Sequence, residues 1–187
     1  MAKWFMYFIL YSFLGYLLEK AYALTTHSAH QVRKCFLLLP LCPVYGLAMT
    51  ALIALTEGVR NLPVLIVIGA LVCTGTEYLV HWFYDRVFHV RFWDYRDMPG
   101  NIRGRICPQF ALAWGFLSAA ALRWLQPVVA ALTVRLPEAT IYVLWLILAA
   151  DCVLTAAVLR QFQDTERLAL TTMIGQIRAS SQSNTSR

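Results

Sequence analysis

Five long apolar runs, at roughly residues 4–24, 36–57, 62–84, 106–126 and 139–159, dominate this 187-residue chain. Each approaches the ~20 residues a helix needs to cross ~30 Å of hydrocarbon, where every backbone N–H and C=O has to be satisfied within the protein. A hydrophobic content of 59% and a mean hydropathy of +0.58 lie far above those of an ordinary soluble domain. The expected fold is all-α: a polytopic integral membrane helix bundle with about five transmembrane helices over residues 1–160, then a polar tail over 161–187. Pro40 and Pro43 interrupt the start of the second run, which predicts a broken or re-entrant beginning that must be buried in protein. Ala21-Tyr22-Ala23 follows the first run as a signal-peptide cleavage site would. Glu19, Lys20 and the run's aromatic content predict a retained helix instead.

Between the third and fourth runs lies a polar island, DRVFHVRFWDYRDMPGNIRGR, from Asp85 to Arg105. Arg86, Arg91, Arg96, Arg103 and Arg105 share it with Phe92, Trp93 and Tyr95, the mixture found where water meets hydrocarbon. With five crossings, one side collects Lys20, Arg33, Lys34, these five arginines, Arg160, Arg167, Arg178 and Arg187, and the other holds Lys3, Arg60, Arg123 and Arg135. Twelve against four predicts an N-out/C-in orientation with the island and tail in the cytoplasm. The net charge of +6 then reflects topology and anionic lipid. No soluble basic surface is present to suggest nucleic acid.

The five cysteines, Cys35, Cys42, Cys73, Cys107 and Cys152, are odd in number, lack a CxxC and fall mostly in apolar runs, so free buried thiols are expected. His27 and His30 have no third ligand in their loop, and no metal site is expected. Ala111, Gly115 and Ala119 form a small-residue ridge suited to close helix packing, inside the bundle or at a dimer seam. Leu170, Met173, Ile174 and Ile177 follow helical spacing and predict a short amphipathic helix on the inner membrane surface, with a disordered end after it. No internal repeat of useful length is visible, so the inverted halves of a complete secondary transporter are missing.

Charge near the bilayer centre costs ~2.5–3.5 kcal/mol even on permissive scales, so intramembrane acids call for an explanation. Glu19, Glu77 and Asp151 are expected at comparable depth, the latter two ~11 Å from the ends of their runs. Glu77, His81 and Asp85 recur every four residues, which places them on one helix face running from the membrane interior to the island. Such a stripe suits a proton or cation path or a substrate contact. It equally suits structural locking, with the acids paired to Arg103, Arg105 or backbone N–H groups. Asp151 is the weaker candidate, since Thr155 one turn on can share a hydrogen bond with it. Glu plus His without a nucleophile or a metal set argues against acid–base catalysis. In the island, Asp94 and Asp97 alternate with arginines, and Pro99-Gly100-Asn101 and Gly104 turn the segment back toward the membrane as a plug or docking surface.

SFLGYLLE (Ser12 to Glu19), FLLLPLCPVYG (Phe36 to Gly46), EYLVHW (Glu77 to Trp82), FWDY (Phe92 to Tyr95), NIRGRIC (Asn101 to Cys107) and Trp114-Gly115 together resemble a bacterial family named "putative ABC-transporter type IV". The resemblance runs in order from about Trp4 to Gln126. Departures are Arg33, Lys34 and Cys35 where that family usually has Asn, Arg and Gly, Leu39 for a Gly, His81 for a small polar residue, Asp85 for a Glu and His89 for a Gly. The resemblance implies a permease subunit. The chain has no G-x-x-x-x-G-K-[ST] loop, so ATP hydrolysis would need a separate ATPase subunit, docked on the island.

The expected function is a multi-pass permease subunit in the bacterial inner membrane, working without a cofactor. Glu19, Glu77 and Arg105 are expected to line a cytoplasm-facing pocket, with His81, Asp85 and Asp151 as further substrate or proton-pathway candidates. Phe92, Trp93, Asp94, Tyr95, Asn101 and Arg103 are expected to form the lid or docking loop. Beside the bilayer, the candidate partners are that ATPase and a second copy of the chain. The competing reading is a non-transporting scaffold or assembly protein in which the same charges are packing glue.

Overall fold

The computed structural model describes residues 2–25, 35–134 and 137–162. The predicted amphipathic tail helix, His27, His30, Arg33 and Lys34 lie outside the described residues. Among the described residues, five helices make up the bundle: α1 (Ala2–Thr25), α2 (Pro43–Leu55), α3 (Leu62–Val87), α4 (Pro108–Val134) and α5 (Glu138–Phe162). No strand occurs among the described residues. α3, α4 and the Ala139–Gln161 stretch of α5 are long and apolar enough to cross a membrane. α1 has comparable length, ~36 Å, but carries Lys3, Glu19 and Lys20.

The second apolar run differs most from its expectation. It is helical only over Pro43–Leu55, ~20 Å and too short to cross alone. Pro43 starts the helix at a position where its missing N–H costs nothing. Residues 35–42 run in non-helical conformation into the bundle, with Leu37, Leu41 and Cys42 buried. Their backbone donors find partners on two other helices. The Cys42 N–H donates to the Ser12 carbonyl of α1 (2.8 Å), and the Leu38 and Leu39 N–H groups donate to the two Asp151 carboxylate oxygens of α5 (3.1 and 3.0 Å). The burial predicted from Pro40 and Pro43 is thereby met. The free-thiol expectation fails for two of the five cysteines: Cys35 and Cys42 are joined in a disulfide, because the turn between them folds their Cα atoms to 4.8 Å. Cys73, Cys107 and Cys152 are free.

Close backbone approach holds the helices together where lipid offers no hydrophobic drive. A side chain at Gly15 of α1 would collide with the Tyr45 ring of α2. One at Gly115 of α4 would stand 2.8 Å from the Ile66 carbonyl of α3. The ridge predicted on α4 thus packs within the bundle, against α3. α4 continues through a π-helical turn at Ala121–Leu125 just before Pro127, whose ring cannot follow an ordinary α-turn.

The segment from Phe88 to Cys107 folds back on the end of α3. Phe88, Val90 and Phe92 pack with Tyr84 and with Leu159 of α5, and Phe36 stacks on Tyr84 at 5.1 Å. His89 sits at φ +56°, a left-handed conformation that disfavours side chains.

Candidate functional site

A cavity of about 630 Å³ lies between α1, α2, α3, α4 and the folded-back segment. Its walls are mostly hydrocarbon and aromatic rings, and both Glu19 and Glu77 face into it. α1 brings Glu19 to the wall because Gly15, one turn earlier, lets Tyr45 lie flush against α1. The Tyr45 hydroxyl donates to Glu19 Oε1 at 2.6 Å. Glu77, buried on α3, accepts from the Tyr95 hydroxyl at Oε1 (2.8 Å) and from the Trp114 indole N–H at Oε2 (3.0 Å). The donors form a continuous aromatic path. Tyr45 meets Trp114 edge-on at 5.7 Å, and Tyr95 stacks on Phe110 at 4.9 Å. Two carboxylates from different helices are thus linked through rings whose polar tips serve the acids and whose faces line the space. Burial, then the Glu77 charge, raises the Tyr95 hydroxyl pKa above its ordinary value, which keeps it a donor.

The other predicted pathway residues stand outside this cavity. Arg105 does not line it, contrary to expectation. Its guanidinium pairs with Asp85 at 3.1 Å, donates to the Tyr78 hydroxyl at 3.2 Å and lies over the Tyr78 ring at 5.2 Å. Asp85 also accepts from Arg91 Nε at 3.2 Å. His81 shares the buried face of α3 with Glu77, as the four-residue spacing predicts. Its Nε2 lies 3.1 Å from the Trp93 carbonyl, and its ring meets the Trp93 indole edge-on. His81 therefore holds the backbone of a residue that lines the cavity. Asp151 is elsewhere, with Thr155 donating to Oδ1 at 3.3 Å beside the two backbone bonds already described. Since α3 and α5 outrun their apolar stretches, Glu77 and Asp151 lie ~15 and ~17 Å from their helix ends, and Glu19 ~9 Å from its own.

The six residues expected to form a lid divide by task. Trp93 and Tyr95 line the cavity, while the Trp93 indole N–H donates to the Arg105 carbonyl at 3.0 Å. Phe92 is buried in the Tyr84 cluster. Asp94 accepts from Arg96 Nε at 2.7 Å, and this bond holds its carboxyl below the usual carboxylate range. Asn101 is the hub of the turn. Its amide donates to the Arg96 and Met98 carbonyls (3.1 and 2.8 Å), and its oxygen accepts from the Gly104 N–H (2.9 Å). Arg103 is exposed on that turn at φ +54°.

Tyr45 and Trp114 are the site residues that charge-centred reading of the sequence passes over. Both are aromatic residues with polar tips in otherwise apolar runs, and such tips find a partner when buried. Among the described residues, no cluster of three His, Cys, Asp or Glu side chains could hold a metal ion. The arrangement is suited to binding: a mainly apolar chamber with two acids fixed at one end.

The family model described as "Putative ABC-transporter type IV" matches residues 6–157. No curated protein and no solved structure matches the chain.

Proposed function

The chain belongs to the putative ABC-transporter type IV family, and from that membership we propose that it is the permease subunit of an ABC-type or related transporter, with the α1–α4 cavity as its substrate site. The observation that supports this reading is the convergence of Glu19 and Glu77 on one chamber of about 630 Å³, a size typical of small-ligand sites. Trp93 and Tyr95 are the lid. The twelve-to-four distribution of Lys and Arg, counted for five crossings, supports a lid that faces the cytoplasm of a bacterial inner membrane. There the exposed arginines Arg91, Arg96 and Arg103 would meet a separate ATPase subunit.

Purification of the full chain in mild detergent tests the partner. A stoichiometric ATPase is expected, and its absence overturns the ABC assignment. In the reconstituted pair, Glu77→Gln should lower substrate-stimulated ATP hydrolysis at least about tenfold, roughly 1.4 kcal/mol, with membrane yield unchanged. Equal loss of folded protein would instead support the scaffold reading. That reading draws on the Asp85–Arg105 pair and on the two backbone amides bound by Asp151, since both acids serve the fold.

A further inference from the structure

The cavity is shaped along the helices, and its polarity changes along its length. α1 and α4 pack together where α4 reaches Gln126–Val134. Here the Tyr11 hydroxyl donates to Gln126 Oε1 at 2.8 Å and closes the lower end. At the upper end the Tyr22 and Phe110 rings meet at 6.5 Å. Phe110 and Gln126 lie ~24 Å apart along α4, and Tyr11 and Tyr22 ~17 Å apart along α1. Between these two contacts the cavity wall includes Leu17, Leu18 and Leu117, which are 46%, 37% and 42% exposed. All three sit within apolar runs, so an opening at this exposed part of the wall would give onto hydrocarbon. The proposed window into the bilayer lies here between α1 and α4, framed by the Tyr11–Gln126 hydrogen bond and the Tyr22–Phe110 ring contact.

The two ends of the chamber differ in chemistry. Glu19 and Glu77 stand at the Tyr22–Phe110 end, with Tyr45, Trp93, Tyr95 and Trp114 around them. Toward the Tyr11–Gln126 end the lining becomes Leu14, Met49, Ala121 and Leu125. A small water-soluble solute would leave this lower half unmatched. An anionic head group would be repelled by the two carboxylates, whereas a cation gains from both the acids and the ring faces.

Resting on the permease reading of the same cavity, we propose that its ligand is a single-chain amphiphile with a cationic amine head. It enters sideways from the bilayer through the α1–α4 window, its head between Glu19 and the aromatic rings and its chain along Leu14, Leu117 and Leu125.

The test uses the full chain in phosphatidylcholine nanodiscs and a dodecylamine probe carrying a diazirine on its chain, with cross-links located by peptide mass spectrometry. Label is expected to concentrate on Leu14 to Leu18 and Leu117 to Leu125. Excess dodecylamine should compete it away, with dodecanoate and tetramethylammonium weaker by at least about tenfold. Glu19→Gln should reduce labelling roughly tenfold or more, the scale of a hydrogen bond to a charged group. Leu117→Trp, which narrows the window and leaves both acids in place, should reduce it as strongly and keeps the test decisive if the Glu19 variant fails to fold. Labelling of exposed Trp145 and Leu146 on α5 to the same extent as the cavity overturns the proposal, as does equal competition by dodecanoate or unchanged labelling of Leu117→Trp. Labelling needs no ATP and no partner. Specific labelling without any associated ATPase would therefore sink the permease reading alone, and indiscriminate labelling beside Glu77-dependent ATP hydrolysis would sink only this inference.

Discussion

Asp151 and Glu77 are both buried carboxylates deep in apolar helices, yet they live in opposite kinds of surroundings. Asp151 faces polypeptide. Its two oxygens take the Leu38 and Leu39 amides, and Thr155 adds a third donor. Glu77 faces a chamber, and its described donors are the tips of two aromatic side chains that also form the chamber wall. The carboxylate of Asp151 accepts from the amides of the non-helical segment that leads into α2, so it serves that segment's backbone. The carboxylate of Glu77 fixes Tyr95 and Trp114, so it shapes a space. Residue type and depth, which first mark both acids as unusual, do not separate these roles. The identity of the donor does.

The sharpest way to break this contrast is to remove each acid in turn. Asp151→Ala takes away the acceptor shared by two buried amides and should cost about 3 kcal/mol or more, seen as a large drop in thermal unfolding temperature in detergent and in membrane yield. Asp151→Asn, which keeps one carbonyl oxygen, should lose less. Glu77→Gln retains an oxygen for Tyr95 and should cost only about 1 kcal/mol of stability. If both changes destabilise equally, the division between a backbone cap and a chamber wall is wrong.

Asp85 and Arg105 provide an intermediate case, an ion pair with side chains 28% and 11% exposed. A double-mutant cycle with Asp85→Asn and Arg105→Gln should give a coupling of about 1 kcal/mol. Because Arg105 lies outside the cavity, neither change should alter amphiphile labelling. A coupling near zero would remove Asp85 from the structural group. The smallest effect is expected at the exposed Asp94–Arg96 pair. The folded-state pKa of Asp94 is lowered, chiefly by the Arg96 hydrogen bond, so its stabilisation is present above the unfolded value of about 3.9 and is lost as pH falls through the folded value. Unfolding curves of the wild type and of Asp94→Asn should therefore differ slightly at pH 7 and converge below about pH 3. A difference that persists in acid would mean that Asp94 acts through packing and not through its charge.

Much of the fold is legible in the residues. The lengths of the apolar runs give α3, α4 and α5 within a few residues, apart from the extension of α4 beyond residue 126 through its π turn. Pro40 and Pro43 announce the broken start of α2, and the spacing of Glu77 and His81 places them on one buried face. The partners were not legible, because each lies far along the chain. Asp151 and Leu38, Trp114 and Glu77, and Tyr45 and Glu19 are joined only once the helices pack. Cys35 and Cys42 carry no recognisable spacing motif, and their bridge depends on the turn that the buried segment adopts. Arg105 is the instructive error. Its charge makes it look like a counter-ion for the buried acids, but the fold-back of the polar segment delivers its guanidinium to Asp85 and Tyr78.

By itself, the sequence determined that this chain is an all-helical membrane protein, since apolar runs of this length can satisfy their backbone in lipid only as helices. It also determined which acids would need an explanation, because the cost of burying a charge depends on depth and chemistry alone. Tertiary packing decided what those acids do. A hydrogen bond reaches about 3 Å, so whether a carboxylate caps a backbone, pairs with an arginine or walls a chamber depends on which helix lies beside it, and the order of residues along the chain does not specify that neighbour.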